Sequence, residues 1–275
     1  MITGTADKVV DNTVEAAGIV FGDEIEAIYT LGSLAHGGFA PLVSDVDVAI
    51  ILGSTAIDTA DRIAAVQALV ADKTDSPLSQ RLSLFWGDWR AVRTGEGDHF
   101  RLGPVDRLDL LDSGRLLLGS DLREPSVRPT RHELLLMSAD LILSKFTAEY
   151  LEALGDARAL VADGARAVTK TILFPVRFMY TLRTGGIGLN DQSALWYGSE
   201  GLPGGALALK SLAWRNEGIG DPDLAIGMLD AELGALHVEC MDRYAGELDR
   251  LGETARAAAL AARTAAVHVS VGDRR

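Results

Sequence analysis

Apolar residues recur at helical spacing near the start of the chain. Val9, Val10, Val14 and Ala17 share a stripe, which predicts a helix over 5–20. EAIYTLGS (26–33) predicts a strand that stops at Gly32, and DVDVAIIL (45–52) predicts a second. Residues two apart on a strand share a side, so Asp45, Asp47 and Ala49 face one way and Val46, Val48 and Ile50 the other. Helical spacing returns over 57–72, with Ile63, Val66 and Val70 aligned. QRLSLFWGDW (80–89) predicts a third strand, ended by Gly87. Residues 90–104 mix charges with Gly95, Gly97, Gly103 and Pro104 and read as a loop. A short helix over 105–112 and RLLLGSD (115–121) follow.

The pattern then changes. REPSVRPTR (123–131) has two prolines and no apolar run, which sets an expected boundary between a domain over 1–124 and one over 125–275. Everything beyond it reads as helical. One amphipathic stretch covers 132–154, and another covers 156–186 with a kink expected at Pro175. One or two more helices are expected from about 223 to 265, with fraying at the alanine-rich end. The expected fold class is α+β followed by all-α: a small mixed-sheet unit, then a helical bundle.

Composition narrows the chemistry. The 275 residues are enough for two domains, and the net charge of −13 disfavours nucleic-acid partners, because the surface repels phosphate backbones. Such charge suits a soluble protein or a cationic small substrate and does not choose between them. Cys240 is the single cysteine, so no intramolecular disulfide or thiolate metal site is possible. No signal peptide and no bilayer-length apolar run are read, so a cytoplasmic location without a membrane partner is expected. A P-loop, a Gly-x-Gly-x-x-Gly after a strand and a Gly-x-Ser-x-Gly elbow are all missing, which disfavours their chemistries.

GSLAHGGFAPLVSDVDVAIIL (32–52) carries the candidate chemistry. Two carboxylates on one side of a strand repel unless a cation neutralises them, and Mg²⁺ suits hard oxygen ligands, one or two carboxylates together with substrate phosphates. Gly32 lets a backbone approach a ligand closely, and the Ser33 hydroxyl with nearby N–H groups suits phosphate oxygens. Gly37 and Gly38 let the chain turn back toward Asp45. Together these parts would seat a nucleoside triphosphate between an N–H-rich turn and a metal-bearing strand, the kit for nucleotidyl transfer.

The spacing Gly32-Ser33 … Asp45-Val46-Asp47 resembles the signature of the polymerase-β-like nucleotidyltransferases. KTILFPVRFMYTLRTGGIGLNDQSALWY (170–197) is similar to a helix–loop–helix of the streptomycin/spectinomycin adenylyltransferases, through Arg177, Tyr180, Thr184-Gly185, Ile187 and Ala194-Leu195-Trp196. DLLDSGRLLLGSDLR (109–123) is similar to the end of their catalytic domain. The resemblance implies Mg²⁺-dependent transfer of AMP from ATP, or from another nucleoside triphosphate, to a hydroxyl of a small acceptor such as an aminoglycoside. It makes Asp45 and Asp47 catalytic metal ligands and Gly32, Ser33, Lys170, Arg177 and Asn190 nucleotide-binding residues.

Two positions depart from the family pattern. The family's third acid would fall near Ser83, whose hydroxyl stays protonated at neutral pH and binds metals poorly. Asp88, just past the strand, is the catalytic candidate to replace it, against its reading as a solvated turn acid; Glu96 and Asp98 are weaker candidates. Asn190 stands where the family commonly has a phosphate-gripping lysine. Lys170 and Arg177, seven residues apart on one helix face, remain to supply positive charge. His36, Trp86, Trp89, Trp196, Glu149 and Glu152 each read more readily as turn, packing or solvated-face residues than as ligand contacts. Three readings stay open: an enzyme acting on a small acceptor, one modifying a macromolecule, and a nucleotide-binding pseudoenzyme or partner-binding module.

Overall fold

The computed structural model describes residues 3–272, in two compact units that part between Thr130 and Arg131. The first unit runs α1 (Thr3–Phe21), β1 (Ile25–Leu31), α2 (Gly32–His36), β2 (Val46–Leu52), α3 (Thr59–Lys73), β3 (Leu82–Asp88), α4 (Trp89–Thr94), α5 (Pro104–Ser113) and β4 (Arg115–Gly119). Its mixed sheet has the order β3-β2-β1-β4; β1 is antiparallel to β2 and β4, and β2 is parallel to β3.

Both faces of the central strands are covered, which is why β1 and β2 read as nearly unbroken apolar runs. Val46, Val48, Ile50 and Leu52 pack with the α1 and α3 stripes, Val9, Ile63, Val66 and Val70 among them. Ala49 and Ile51 face the other way and join Tyr29, Leu31, Val92 and Leu110. Each large aliphatic side chain fully buried here contributes about 1.5–3 kcal/mol of transfer free energy. A one-residue slip of β2 would exchange the two sets and carry Asp47 into the α1–α3 core, so packing fixes the register.

The third strand and the segment after it differ from expectation. β3 continues through Gly87 to Asp88, and residues 89–94 form α4 rather than a loop. Asp88 Oδ1 accepts the Ala91 N–H at 2.8 Å as an N-cap, and Gly95, at φ +76°, closes the helix. The glycines and charges of this region therefore punctuate a short helix.

The second unit is helical throughout: α6 (Arg131–Lys145), α7 (Ala148–Ala153), α8 (Ala157–Ala162), α9 (Ala165–Thr184), α10 (Asn190–Ser199), α11 (Gly205–Glu217), α12 (Pro222–Arg250) and α13 (Thr254–Gly272). The two long stretches are each broken once. Thr147 ends the first run by accepting the Tyr150 N–H on its hydroxyl, which starts α7, and Gly164, at φ +91°, separates α8 from α9. α9 continues through buried Pro175. The fraying expected at the chain's end falls, for residues 273–275, outside the described residues. Among the described residues no helix is long and apolar enough to cross a membrane.

Buried His237 of α12 gives this unit a pH dependence. Its Nδ1 lies 3.0 Å from the Leu233 carbonyl and its Nε2 lies 3.1 Å from the Tyr150 hydroxyl. A carbonyl can only accept, so the ring carries its proton on Nδ1 and Nε2 accepts from Tyr150. Burial holds His237 down to about 4. The unfolded chain takes up this proton near pH 6.5 and the folded chain only near 4, so the stabilisation is complete above about pH 6.5 and is lost as pH falls toward 4. Over that window the loss is about 3 kcal/mol. Urea-unfolding midpoints at pH 7 and pH 4.5 should therefore fall more for the natural protein than for His237→Gln. Parallel shifts in the two proteins would remove His237 as the cause.

Candidate active site

β1 ends where Gly32 takes φ +59°, a left-handed conformation that favours glycine, and α2 begins at that residue. Pairing of Leu31 with Asp47 brings this exit beside the second residue of β2. A Cβ on Gly32 would stand 2.5 Å from Asp47 Oδ2, so the carboxylate lies directly against the turn where only hydrogen fits. Asp47 is half-buried on the Ala49 side of the sheet, as the alternation predicts. Asp45, also half-buried, stands one residue before β2. The 40–44 turn delivers it: Ser44 N–H donates to the Ala40 carbonyl at 2.8 Å, and Ala40 N–H donates to Ser44 Oγ at 3.0 Å. Arg81 holds the same turn from beside β3 by donating to the Pro41 and Leu42 carbonyls.

The backbone N–H of Gly32 is not open to a ligand. It donates to Asp109 Oδ2 at 2.7 Å, and the Ser113 hydroxyl donates to the other oxygen of the same carboxylate. Asp109, on α5, opens the DLLDSGRLLLGSDLR segment. Its link to residue 32 is purely tertiary, and no local pattern marks it. Ser33 is buried in the first turn of α2. His36 ends α2 and lies against Gly38, consistent with a turn residue.

Parallel pairing sets Ser83 directly beside Asp47, so serine occupies the neighbouring position on β3. Asp88 is not brought to this place. It pairs with Leu52, five residues further along the strands, about 16 Å at the usual rise, and its carboxylate caps α4. Glu96 pairs with Arg90 at 3.1 Å on the surface. Trp86 also lies toward that far end, its indole N–H donating to the His99 carbonyl at 2.8 Å. Among the described residues no three acidic, histidine or cysteine side chains gather to hold a metal by themselves.

In the second unit Lys170 and Arg177 both lie exposed on α9. Arg177 Nε donates to the Gly188 carbonyl at 2.6 Å, and a Cβ on Gly188 would come within 2.3 Å of the Arg177 carbonyl oxygen. The loop is thereby pressed onto α9 and leads directly into Asn190, the first residue of α10. Trp196 packs edge-on against Tyr180 at 5.7 Å, a packing role. Glu149 and Glu152 lie on the exposed face of α7.

No family model and no curated protein matches the sequence. Among solved structures, one similar to this chain is the crystal structure of spectinomycin adenyltransferase AAD(9) from Enterococcus faecialis with ATP and spectinomycin. The match has a TM-score of 0.57 at 13% identity. The chain shares that enzyme's fold. The likeness covers 84% of this chain and 98% of that one, more of this chain than either unit holds alone. The mixed-sheet unit followed by a helical unit, expected from sequence, is thus the architecture of an adenyltransferase.

Proposed function

We propose that this chain is a nucleotidyltransferase that moves AMP from ATP to a hydroxyl of a small acceptor. The observation that carries the reading is the Asp47 carboxylate lying against the glycine exit of β1, in a fold shared with an enzyme crystallised with ATP and spectinomycin. Asp45 and Asp47 are the residues that would hold Mg²⁺. Their donor set fits: two hard carboxylates, both partly open to water, are as many protein ligands as Mg²⁺ commonly takes when phosphates and water complete its shell. The bound ion supplies charge stabilisation at the α-phosphate.

The rest is done by the chain's own groups. Gly32 shapes the strand exit beside which the triphosphate lies, and Ser33 offers a hydroxyl to its β- and γ-phosphates. Lys170, Arg177 and Asn190 are carried as nucleotide-binding residues by the resemblance of the α9–α10 block. The acceptor oxygen attacks the α-phosphorus in line, its bond to the β-phosphate oxygen breaks, pyrophosphate leaves, and the hydroxyl proton passes to water. Asp88 has no part in this chemistry. A cationic aminoglycoside or aminocyclitol is the acceptor class that the net charge of −13 favours.

One observation favours a second reading. Serine rather than an acid stands beside Asp47 on β3, which suits a protein that binds Mg²⁺ and ATP without transfer. Incubation with Mg²⁺, ATP labelled at the α-phosphate and a panel of aminoglycosides and aminocyclitols separates the two. The expected result is a labelled acceptor with stoichiometric pyrophosphate. Tight Mg²⁺-dependent ATP binding with no labelled product on any acceptor would select the binding protein, and absence of binding would reject both.

A further inference from the structure

We infer that Asp109 is a positioning residue for the Asp47 carboxylate, acting through the backbone of Gly32. The inference rests on the proposed role of Asp47 and adds a residue to it. Gly32 has no side chain to choose its conformation, and an isolated glycine populates either sign of φ. Here φ is +59°, and at that value its Cα sits against Asp47 Oδ2. Its N–H is held by the Asp109 carboxylate, at 2.7 Å.

Asp109 is itself held from two directions. The Ser113 hydroxyl, one helical turn on, donates to its other oxygen, so the carboxylate cannot rotate freely away from Gly32. α5 is anchored to the sheet by fully buried Leu110, packed with Tyr29 and Leu31. Arg107, buried on the same helix, donates to the Val127 carbonyl at 2.7 Å and fixes its other side. The chain of contacts therefore runs from a rigid helix to a carboxylate, to one N–H, to the turn on which Asp47 rests. The Gly32 N–H and the Ser113 hydroxyl each donate to one oxygen of Asp109, so its carboxylate is aimed at the turn. Outer partners of this kind typically set about 10–100-fold of metal affinity or activity.

The test compares Asp109→Ala with Asp109→Asn, using calorimetry of ATP binding across a Mg²⁺ series and hydrogen exchange at the Gly32 amide. Asp109→Ala should raise the Mg²⁺ concentration for half-maximal ATP binding about tenfold and speed Gly32 exchange. Asp109→Asn keeps an oxygen to accept the N–H and should restore most of both. Val92→Ala, in the same core but away from the turn, should lower thermal stability and leave the Mg²⁺ midpoint in place. A folded Asp109→Ala with unaltered Mg²⁺ midpoint and Gly32 exchange overturns the inference, as does equal impairment by Ala and Asn. Should Asp109→Ala not fold, Ser113→Ala carries the test: it loosens the carboxylate and should move both readouts in the same direction, and no movement overturns the inference. Failure of the underlying reading looks different. Asp47→Asn would then keep Mg²⁺-dependent binding, while the Gly32 exchange data would still report whether Asp109 holds the turn.

Discussion

Asp47→Asn should abolish Mg²⁺-dependent ATP binding and lower AMP transfer by about 10³-fold, the effect of losing roughly 4 kcal/mol of transition-state charge stabilisation. The substitution preserves shape and removes charge. An amide oxygen is a poor substitute for a carboxylate at Mg²⁺, and half of the Asp45–Asp47 pair is gone. Thermal stability should hold within about 0.5 kcal/mol, because a half-exposed isosteric change makes no cavity. Asp88→Asn is the internal control. Asn caps a helix as well as Asp, so α4 should persist and transfer should be unchanged. Turnover retained in Asp47→Asn, or lost in Asp88→Asn, would reverse the assignment of the two acids. Calorimetry with Mg²⁺ and ATP, set beside the product assay, reads both.

The central elements of the first unit were legible in the sequence because both periods are strong there. Alternation in DVDVAIIL separates Val46, Val48 and Ile50 from Asp47 and Ala49, and the structure buries the two sets in different cores. The stripes of α1 and α3 appear where 3.6-residue spacing places them. What failed to show was punctuation. Thr147 and Gly164 lie inside stretches apolar enough to read as continuous helices, yet a hydroxyl cap and a left-handed glycine break them. Asp88 looked like an acid available for catalysis because its alternative, capping a helix in a segment that reads as loop, required α4 to be known. At the site, the strand-exit glycine and the Asp pair were visible as a spacing. Asp109 was not, since its contact spans 77 residues and depends on how α5 lies against the sheet.

Gly32→Ala should separate stability from activity. An alanine at φ +59° bears the left-handed penalty of about 1–2 kcal/mol, and its Cβ would meet Asp47 Oδ2 at 2.5 Å, closer than carbon and oxygen tolerate. The atom in the way is the end of a side chain, so the fold has an exit: the carboxylate swings aside. The alternative is for residue 32 to leave the left-handed region, which breaks the 2.7 Å hydrogen bond to Asp109. Either route leaves the protein folded with Asp47 displaced by an ångström or more. Displacement on that scale costs about 10²-fold in rate. The expected outcome is thus a protein within about 2 kcal/mol of the parent in urea unfolding, given the penalty above, with transfer down about 100-fold and a raised Mg²⁺ requirement. A variant that loses stability and keeps its Mg²⁺ midpoint would mean that the turn supports the sheet alone. One that keeps both would mean that the contact between Gly32 and Asp47 carries no function.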